Sequence, residues 1–475
     1  MNKFIKIFSL SVTIFASLLL FSCASASNYD FSKIDNSIEK NDYSEAYAKI
    51  EAESKKIYSK HDTVLENLDK GLLSHYAENY DNSNQKLSEA EKTIDDLYGI
   101  SITQSVSSFL INDTEKDYEG ELYEDIYTNI FMALNYLNVN QFDDAMVEIR
   151  RFDNKLKNAV LENQKKIQSA KNSMSQGSDK VPSANIKFHN SALARYLSML
   201  LYRTDGDIDN AAVDLKMLKD AFALQSDLYS FSIPSSIEEE LSIPRGKARL
   251  NILSFTGYAP IKREEAIRLA LGGTYYKLAL PKMEKRNTAV AKIKITATSK
   301  YDGSVFTTEA NKLESIEDIA IDTFQQHYAM IFMKSLTRSI TKSAATLALD
   351  HQAKKADDSM TGLVLSIFSL ASAAATEVSE RADTRTSRFF PASASVAGIT
   401  LEPGYYDVEI LYLDHSGYVV GKKIIQDYAL IEGNLNLIED ICLSKKPETI
   451  VKFEPKPNTQ ITGQKLLPPA INNET

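Results

Sequence analysis

The sequence contains no tryptophan, only two cysteines and only six histidines in 475 residues. Two cysteines cannot build a disulfide framework. The histidines are scattered without the spacing that metal ligands need, so we predict no metal site. Signatures of catalysis and cofactor binding are also missing, including a phosphate-binding loop, a nucleophile elbow and a zinc-protease or kinase motif. We therefore predict no cofactor, no catalytic residues, no small-molecule substrate and no enzyme activity.

A basic surface is missing as well. The formal net charge is −10, and no basic stretch with interleaved aromatic residues occurs. Because nucleic-acid binding calls for a basic face, we predict no nucleic-acid partner. The hydrophobic content of 43% and the charged content of 25% are typical of globular proteins. The length suffices for two or three domains.

Long apolar runs are rare, and the clearest one lies at the N-terminus. Lys3 and Lys6 precede an apolar stretch from Ile7 to Phe21. This is the pattern of a secretory signal, and the stretch is too short and too one-sided for a typical membrane-spanning helix. We predict that residues 1–22 are a signal peptide.

A cysteine follows this apolar run directly. The letters LFSC, residues 20–23, resemble the lipobox of bacterial lipoproteins, although Phe21 stands where a small residue is usual. We predict that Cys23 is lipidated, because several acyl chains on one residue anchor a protein stably to a membrane. Two alternatives stay open: plain secretion after cleavage near Ala26, and an anchor that is not cleaved.

The residues behind this cysteine are small and polar, so residues 23–30 are predicted to be a flexible tether. Ala24 takes the position where an aspartate would retain a lipoprotein in the inner membrane of many bacteria. The predicted location is therefore the cell envelope, with the protein lipid-anchored in the outer membrane and facing the periplasm. Cys442, in contrast, is predicted to be a small buried hydrophobe at the end of a β-strand.

A short pattern recurs four times between residues 31 and 240. Each copy has an aromatic or apolar residue, a small residue three positions later and an aliphatic residue four beyond that. This spacing matches the second helix of a tetratricopeptide (TPR) hairpin. The four copies are Tyr43-Ala46-Ile50, Tyr80-Ser83-Leu87, Phe142-Ala145-Ile149 and Ile208-Ala211-Leu215. Insertions at 91–120 and 153–190 make the spacing unequal, so we predict an irregular TPR-like α-solenoid over 31–240. Four unrelated amphipathic hairpins are the alternative.

From about residue 244 the pattern changes to apolar and polar residues that alternate between turn signals. The letters YDG (301–303) and DHSG (414–417) are typical of hairpin turns. The predicted parts of this half are a small β-sandwich-like domain (244–445), a helical insertion within it (about 312–380) and a disordered tail (446–475). The predicted fold class is therefore α+β.

The insertion combines a long amphipathic helix with a nearly uncharged apolar segment, 362–375. The apolar segment is shorter than the roughly 20 residues needed to span a bilayer. A buried helix is the favoured interpretation. A helix that dips into the membrane and a segment that fills a partner's groove are the alternatives.

Three stretches of the chain carry a family resemblance. The first is YEGELYEDIYTNIFMALNYLNVNQFDDAMVEIRR (118–151), the second is GYAPIKREEAIRLAL (257–271) with ALPKME (279–284), and the third is ADTRTSRFFPASASVAGITLEPGYY (382–406). Together they resemble a family of bacterial TPR-like envelope lipoproteins over most of residues 60–440. Some members of that family are encoded near a lipoprotein activator of peptidoglycan synthases. The resemblance therefore implies a link to cell-wall or outer-membrane assembly.

The favoured function is a membrane-anchored scaffold whose repeats bind a helix or an extended peptide of an envelope protein on their concave face. The candidate partner-binding residues are Arg150, Arg151, Arg385 and Arg388. For each of them the alternative is an ion pair within the chain. The alternative function is a glycan- or lipid-binding lipoprotein that uses its β-domain.

Overall fold

The computed structural model describes residues 29–103, 113–173, 178–182, 186–271, 274–355 and 381–444. The predicted signal peptide, Cys23, the apolar segment 362–375 and the predicted tail 446–475 lie outside the described residues. The described chain belongs to the α+β class, with eight helices in its first half and the strands in its second half.

Helices α1 to α8 pack as four consecutive pairs. They are α1 (Ser32–Ile38), α2 (Tyr43–Ile57), α3 (Thr63–Tyr76), α4 (Tyr80–Thr103), α5 (Leu122–Asn138), α6 (Phe142–Ser173), α7 (Ala192–Thr204) and α8 (Ile208–Leu224). The four copies of the sequence pattern begin at the first residues of α2, α4, α6 and α8, the second helix of each pair. Helix pairs are therefore present where the pattern placed them, while their assignment to the TPR class stays a prediction.

The turn inside each pair has the same backbone geometry. Asn41, Glu78, Asn140 and Gly206 each lie two residues before the second helix, and their φ angles are between 57° and 78°. Asparagine and glycine tolerate this left-handed conformation better than other residues do. The backbone conformation of these turns therefore explains the asparagines and the glycine. The shared turn geometry makes the four helix pairs similar to one another.

The small residues of the pattern lie at close helix contacts. All four are fully buried: Ala46, Ser83, Ala145 and Ala211. Gly71 of α3 shows how close the approach is, because a Cβ there would lie 2.5 Å from Leu87 Cδ2 on α4. Small side chains let the two helix axes come close together, so helix packing explains why the pattern has a small residue at this position.

Nine strands follow the helices in the described chain. They are β1 (Ala248–Thr256), β2 (Ile261–Leu271), β3 (Thr274–Glu284), β4 (Lys292–Ser299), β5 (Val305–Ser315), β6 (Ser393–Leu401), β7 (Gly404–Leu413), β8 (Val419–Leu430) and β9 (Asn436–Cys442). Seven form one sheet in the order β8-β7-β4-β5-β6-β1-β9, and β2 and β3 form a separate antiparallel ribbon. In the large sheet β1 and β9 run parallel, and the other neighbours are antiparallel.

The predicted β-sandwich is wrong, because a single nearly closed, barrel-like sheet takes its place. β5 pairs with β4 over 305–310 and with β6 over 311–315, and so joins the two parts of the sheet. The outer strands β8 and β9 then approach each other. A Cβ on Gly421 would lie only 2.9 Å from Cys442 Sγ. Cys442 itself is buried at the end of β9, as the sequence predicts.

The predicted hairpin turns are confirmed, but one strand pair was not foreseen. Gly303 joins β4 to β5 and Gly417 joins β7 to β8, with φ angles of 73° and 83°. β2 is not recognisable as a strand from its sequence. Its consecutive charged residues, Lys262 to Glu265, interrupt the alternation by which strands are recognised.

The insertion between β5 and β6 contains helix α9 (Ile316–Lys355). It begins later than predicted, because residues 312–315 still belong to β5. α9 packs against α5, α6 and the β2–β3 ribbon, so its apolar residues point in several directions. The core shared by the helix and the ribbon includes Leu278, Leu280, Phe332, Met333 and Leu336. Of the helices that the structure describes, none is both long and apolar enough to cross a membrane.

The first helices of the pairs pack against the second half of the chain. Phe131 of α5 lies 5.3 Å from Phe255 of β1 and 6.0 Å from Phe390, measured between ring centres. Tyr76 of α3 donates a hydrogen bond to the Phe389 carbonyl at 2.9 Å. One hydrophobic core is continuous across both halves. The inner face of the repeats, which is the predicted binding surface, is therefore covered by the chain itself.

The close packing within the α5–α6 pair can be tested with Ala145→Leu. Ala145 is fully buried, so the added carbons have no free space, and we expect the free energy of unfolding to fall by about 1–3 kcal/mol. Val147→Leu is the matched control on the same helix, because Val147 is 49% exposed. We expect the control to stay within about 0.5 kcal/mol of the wild type. Urea unfolding followed by circular dichroism measures both, and equal stabilities would show that Ala145 does not lie at a close contact.

Candidate functional site

The segment 382–391, which precedes β6, lies against the first helices of the pairs; we call it the junction segment. It belongs to the third stretch of the family resemblance. Glu124, from the first stretch, accepts hydrogen bonds from the Ser387 N–H at 2.6 Å and the Thr386 hydroxyl at 3.0 Å. Lys262, from the second stretch, pairs with Glu121 at 2.6 Å. The three stretches therefore meet at one place inside the protein.

Asp69 and Glu124 hold the junction segment through hydrogen bonds. Asp69 accepts from the Ser387 hydroxyl at 2.7 Å, the Arg388 N–H at 2.8 Å and the Tyr58 hydroxyl at 2.9 Å. Burial raises the pKa of Asp69 to about 6, although these donors oppose it. Burial and the nearby charge of Glu121 raise the pKa of Glu124 in the same way. Both carboxylates are enclosed, and their role is structural.

Arg385 and Arg388, two of the predicted partner-binding residues, lie in ion pairs within the chain. Arg385 pairs with Asp62 at 3.1 Å and with Asp383 at 2.7 Å. Arg388 pairs with Asp35 of α1 at 2.8 Å. These contacts are the alternative that the sequence left open, and they tie the junction segment to the first two helix pairs.

A third buried carboxylate was not identified from the sequence. Glu314 of β5 is fully buried, and burial raises its pKa. Its hydrogen-bond donors, at 2.5–3.0 Å, are the hydroxyls of Tyr127, Ser191 and Tyr229 and the N–H of Leu193. These donors come from distant parts of the chain, so no local spacing could indicate the cluster. Glu314 fixes β5 to α5 and α7.

Arg150 and Arg151 both lie on the solvent side of α6. Arg151 pairs with Glu91 at 3.0 Å and with Glu148 at 3.2 Å, and both carboxylates are nearly buried. Arg150 has a long hydrogen bond, 3.5 Å, to the Tyr202 hydroxyl. Arg151 therefore neutralises carboxylates of its own chain, whereas the guanidinium of Arg150 is accessible to a partner.

A cleft of about 220 Å³ lies where the turns of the first helix pairs meet the outer strands β8 and β9; we call it the seam cleft. Its walls come from four separate stretches of the chain, 41–43, 75–80, 412–423 and 439–442, so no local pattern in the sequence indicates it. The polar residues that matter most are Tyr80, His75, Glu78, Lys423, Glu439 and Asp440.

His75 of α3 is 4% exposed and has an acceptor at each ring nitrogen. Nδ1 lies 2.6 Å from Asn135 Oδ1, and Nε2 lies 2.7 Å from Glu439 Oε1. The amide nitrogen of Asn135 donates to Ser83 and Asn84, which directs the amide oxygen to the imidazole. Both ring nitrogens therefore donate, and the hydrogen-bond pattern assigns an imidazolium. Burial lowers the pKa of His75, but the Glu439 charge and the hydrogen bonds outweigh it and raise the pKa.

The other charges of the seam cleft also neutralise one another. Tyr412 donates a hydrogen bond to Asp440 at 2.7 Å. Lys423 lies 3.5 Å from Asp440 and 3.2 Å from Glu78. Lys422 also lines the cleft, so its three cationic side chains balance its three carboxylates. The cleft can thus offer hydrogen bonds to a small polar group, but it presents no excess charge of either sign to attract one.

Comparison with protein-family models, with curated proteins and with solved structures gives no match for this chain. The family resemblance therefore stays a prediction. Among the described residues, no group of three or more His, Cys, Asp or Glu side chains is arranged to hold a metal ion.

His75→Gln removes the imidazolium that pairs α3 with β9. The folded-state pKa of His75 lies above its usual value, about 6.5. The pair therefore stabilises the protein fully below that pH, and its contribution is lost as the pH rises through the folded-state pKa. We expect the variant to lose about 3–5 kcal/mol of unfolding free energy below about pH 6, and the loss to shrink at alkaline pH.

The matched control for this pH series is His415→Gln, because His415 is exposed in the β7–β8 turn. Its unfolding free energy should follow the wild type at every pH. Urea unfolding across the pH range measures all three proteins. A loss for His75→Gln that does not change with pH would contradict the imidazolium assignment.

Proposed function

We propose that the chain is a membrane-anchored lipoprotein of the bacterial cell envelope that acts as a TPR-type protein-interaction scaffold. The lipid on Cys23 holds it to the outer membrane, facing the periplasm. The helix pairs bind an envelope protein that takes part in cell-wall or outer-membrane assembly. The N-terminal signal pattern, the LFSC letters and the four similar helix pairs support this proposal.

The observation that carries the proposal is an exposed group on α6 and α7, Val147, Arg150 and Tyr202, which we call the outer patch. Val147 is 49% exposed and lies three residues before Arg150, so the two share one side of the helix. Tyr202 is partly exposed and meets Arg150. Arginine and tyrosine are the residue types that contribute most to binding energy at protein interfaces.

The covered inner face of the repeats gives a second argument for the outer patch. A partner peptide on the inner face would have to displace the continuous core that the helices share with the strands. That core is far larger than a peptide could replace, so binding at the outer surface is the less costly arrangement. The scaffold thus presents the opposite side of its repeats from the one that the sequence suggested.

Site-specific photo-crosslinking in intact cells tests the outer patch. A photoreactive residue at position 147 is expected to give a protein adduct of defined mass. The matched control is position 424, because Ile424 of β8 is 51% exposed but lies on the other half of the chain. Arg150→Glu should remove the adduct at 147 and leave the circular dichroism spectrum unchanged. Adducts at 424 alone would place the binding surface on the strands and contradict the proposal.

Cys23→Ser tests the lipid anchor. Without the thiol no acyl chain can be attached, so we expect the mature protein to move from the membrane fraction to the soluble envelope fraction and to lose fatty-acid labelling. Cys442→Ala is the matched control, since it removes the other cysteine and should leave the protein with the membrane. A Cys23→Ser protein that stays in the membrane fraction would show that another segment is the anchor.

A further inference from the structure

The seam cleft is a cavity that the scaffold function leaves unused. Its volume, about 220 Å³, lies below the range of about 300–1,000 Å³ in which proteins bind drug-sized molecules. A folded partner or a length of polypeptide does not fit into such a space. A molecule below drug size is therefore the kind of ligand that the cleft can enclose.

Contacts between the two halves of the chain hold the cleft in shape. The Tyr43 hydroxyl donates a hydrogen bond to the Ile441 carbonyl at 3.3 Å. Glu439 accepts hydrogen bonds from His75 at 2.7 Å and from the Asn138 amide at 2.9 Å. Because these walls are fixed before a ligand arrives, little conformational freedom is lost on binding.

Glu78 lines the cleft from an unusual backbone position. Its φ angle is 60°, and the equivalent turn positions of the other three helix pairs are Asn41, Asn140 and Gly206. A glutamate is less stable in this left-handed conformation than an asparagine or a glycine. Lys423 lies 3.2 Å from one oxygen of the Glu78 carboxylate, and the side chain is 66% exposed. The other oxygen can therefore accept a hydrogen bond from a ligand.

Two hydrogen-bond donors of the cleft are not engaged. The Lys422 ammonium and the Tyr80 hydroxyl both line the cleft, and neither has a hydrogen bond or an ion pair among the described residues. Lys422 is exposed, and Tyr80 is half-buried with its ring 5.9 Å from the ring of His75. An ammonium group and a hydroxyl together can bind an anionic oxygen group such as a carboxylate.

The charge balance of the cleft narrows the choice of ligand further. Three cationic and three anionic side chains line it, so a ligand of one sign is attracted by one set and repelled by the other. A zwitterion can pair with both sets and adds no net charge. Because Lys422 and Glu78 line the same small cavity, a single small molecule can reach both.

We propose that the seam cleft binds a small zwitterion of the amino-acid class, which carries one ammonium and one carboxylate group. The carboxylate of the ligand pairs with Lys422 and accepts from the Tyr80 hydroxyl, and its ammonium group donates to Glu78. The sequence predicts no small-molecule substrate, but the walls of the cleft come from distant stretches whose local patterns cannot indicate a ligand. This site depends neither on the lipid anchor nor on the outer patch.

Calorimetric titration of the purified full-length protein tests the class of ligand. The probes are glycine and both enantiomers of alanine, serine and leucine, and we expect at least one to bind with a dissociation constant below about 1 mM. The amide of that amino acid lacks the carboxylate, and its N-acetyl form lacks the ammonium group. Each should bind at least about tenfold more weakly. Inorganic phosphate and glucose represent anions and uncharged polar molecules, and neither should bind.

Lys422→Gln and Glu78→Asn assign the two ends of the ligand. In Lys422→Gln the amino acid should bind no better than its amide, because the partner of the carboxylate is gone. In Glu78→Asn it should bind no better than its N-acetyl form. Since asparagine is the residue of two equivalent turns, Glu78→Asn should also keep the wild-type melting temperature.

Lys216→Gln is the matched control for Lys422→Gln, because Lys216 is exposed on α8 and does not line the cleft. It should bind the amino acid as the wild type does. The proposal is overturned if none of the amino acids binds, if glucose or phosphate binds in their place, or if the amino acid keeps its advantage over the amide in Lys422→Gln.

Discussion

The structure depends on three buried carboxylates of the helices and β5. No lysine or arginine side chain of the described residues pairs directly with their oxygen atoms. Asp69, Glu124 and Glu314 are enclosed, and their hydrogen-bond donors are hydroxyls and main-chain N–H groups. A buried carboxylate without donors is very costly, so each of these positions demands one particular neighbour. Asp69 and Glu124 require the junction segment, and Glu314 requires the first turn of α7. Hydrophobic burial stabilises the contact between the two halves, and the buried carboxylates determine which residues of the two halves meet.

This requirement explains why the inner face of the repeats cannot serve as a binding groove. The donors from Ser387 and Arg388 enter between the helices from the strand side, and Phe389 and Phe390 follow directly behind them. A competing peptide would have to replace both the donors and the aromatic core. Among the described residues, an accessible surface lies elsewhere, at the outer patch, where an exposed apolar side chain lies beside polar groups that can direct binding.

Structural features that depend only on neighbouring residues could be predicted from local patterns in the sequence. The starts of α2, α4, α6 and α8 follow from a spacing of three and four residues, and the turns at Gly303 and Gly417 follow from backbone conformation. Features that depend on distant partners were not predictable in this way. Asp69 stands in an ordinary amphipathic helix, and nothing near it signals that Ser387 will donate to it. The closure of the sheet likewise depends on β5 changing its partner at Asn311, which strand propensity does not encode.

The protonation of these groups gives the contact between the halves an unusual dependence on pH. The pKa of Asp69 is raised to about 6 and those of Glu124 and His75 are raised too, so the folded state binds more protons than the unfolded state as the pH falls from neutrality. By linkage, these groups favour folding more at mildly acidic pH than at neutral pH. Glu121 acts in the opposite direction: burial would raise its pKa, but Lys262 and His327 lower it to about 2. The stabilisation that Glu121 provides is therefore lost only when the pH falls below about 4, the usual carboxyl pKa, toward its folded-state pKa. Through these groups the contact between the two halves is therefore more stable at mildly acidic pH than at neutral pH, and it weakens again when Glu121 becomes protonated in stronger acid.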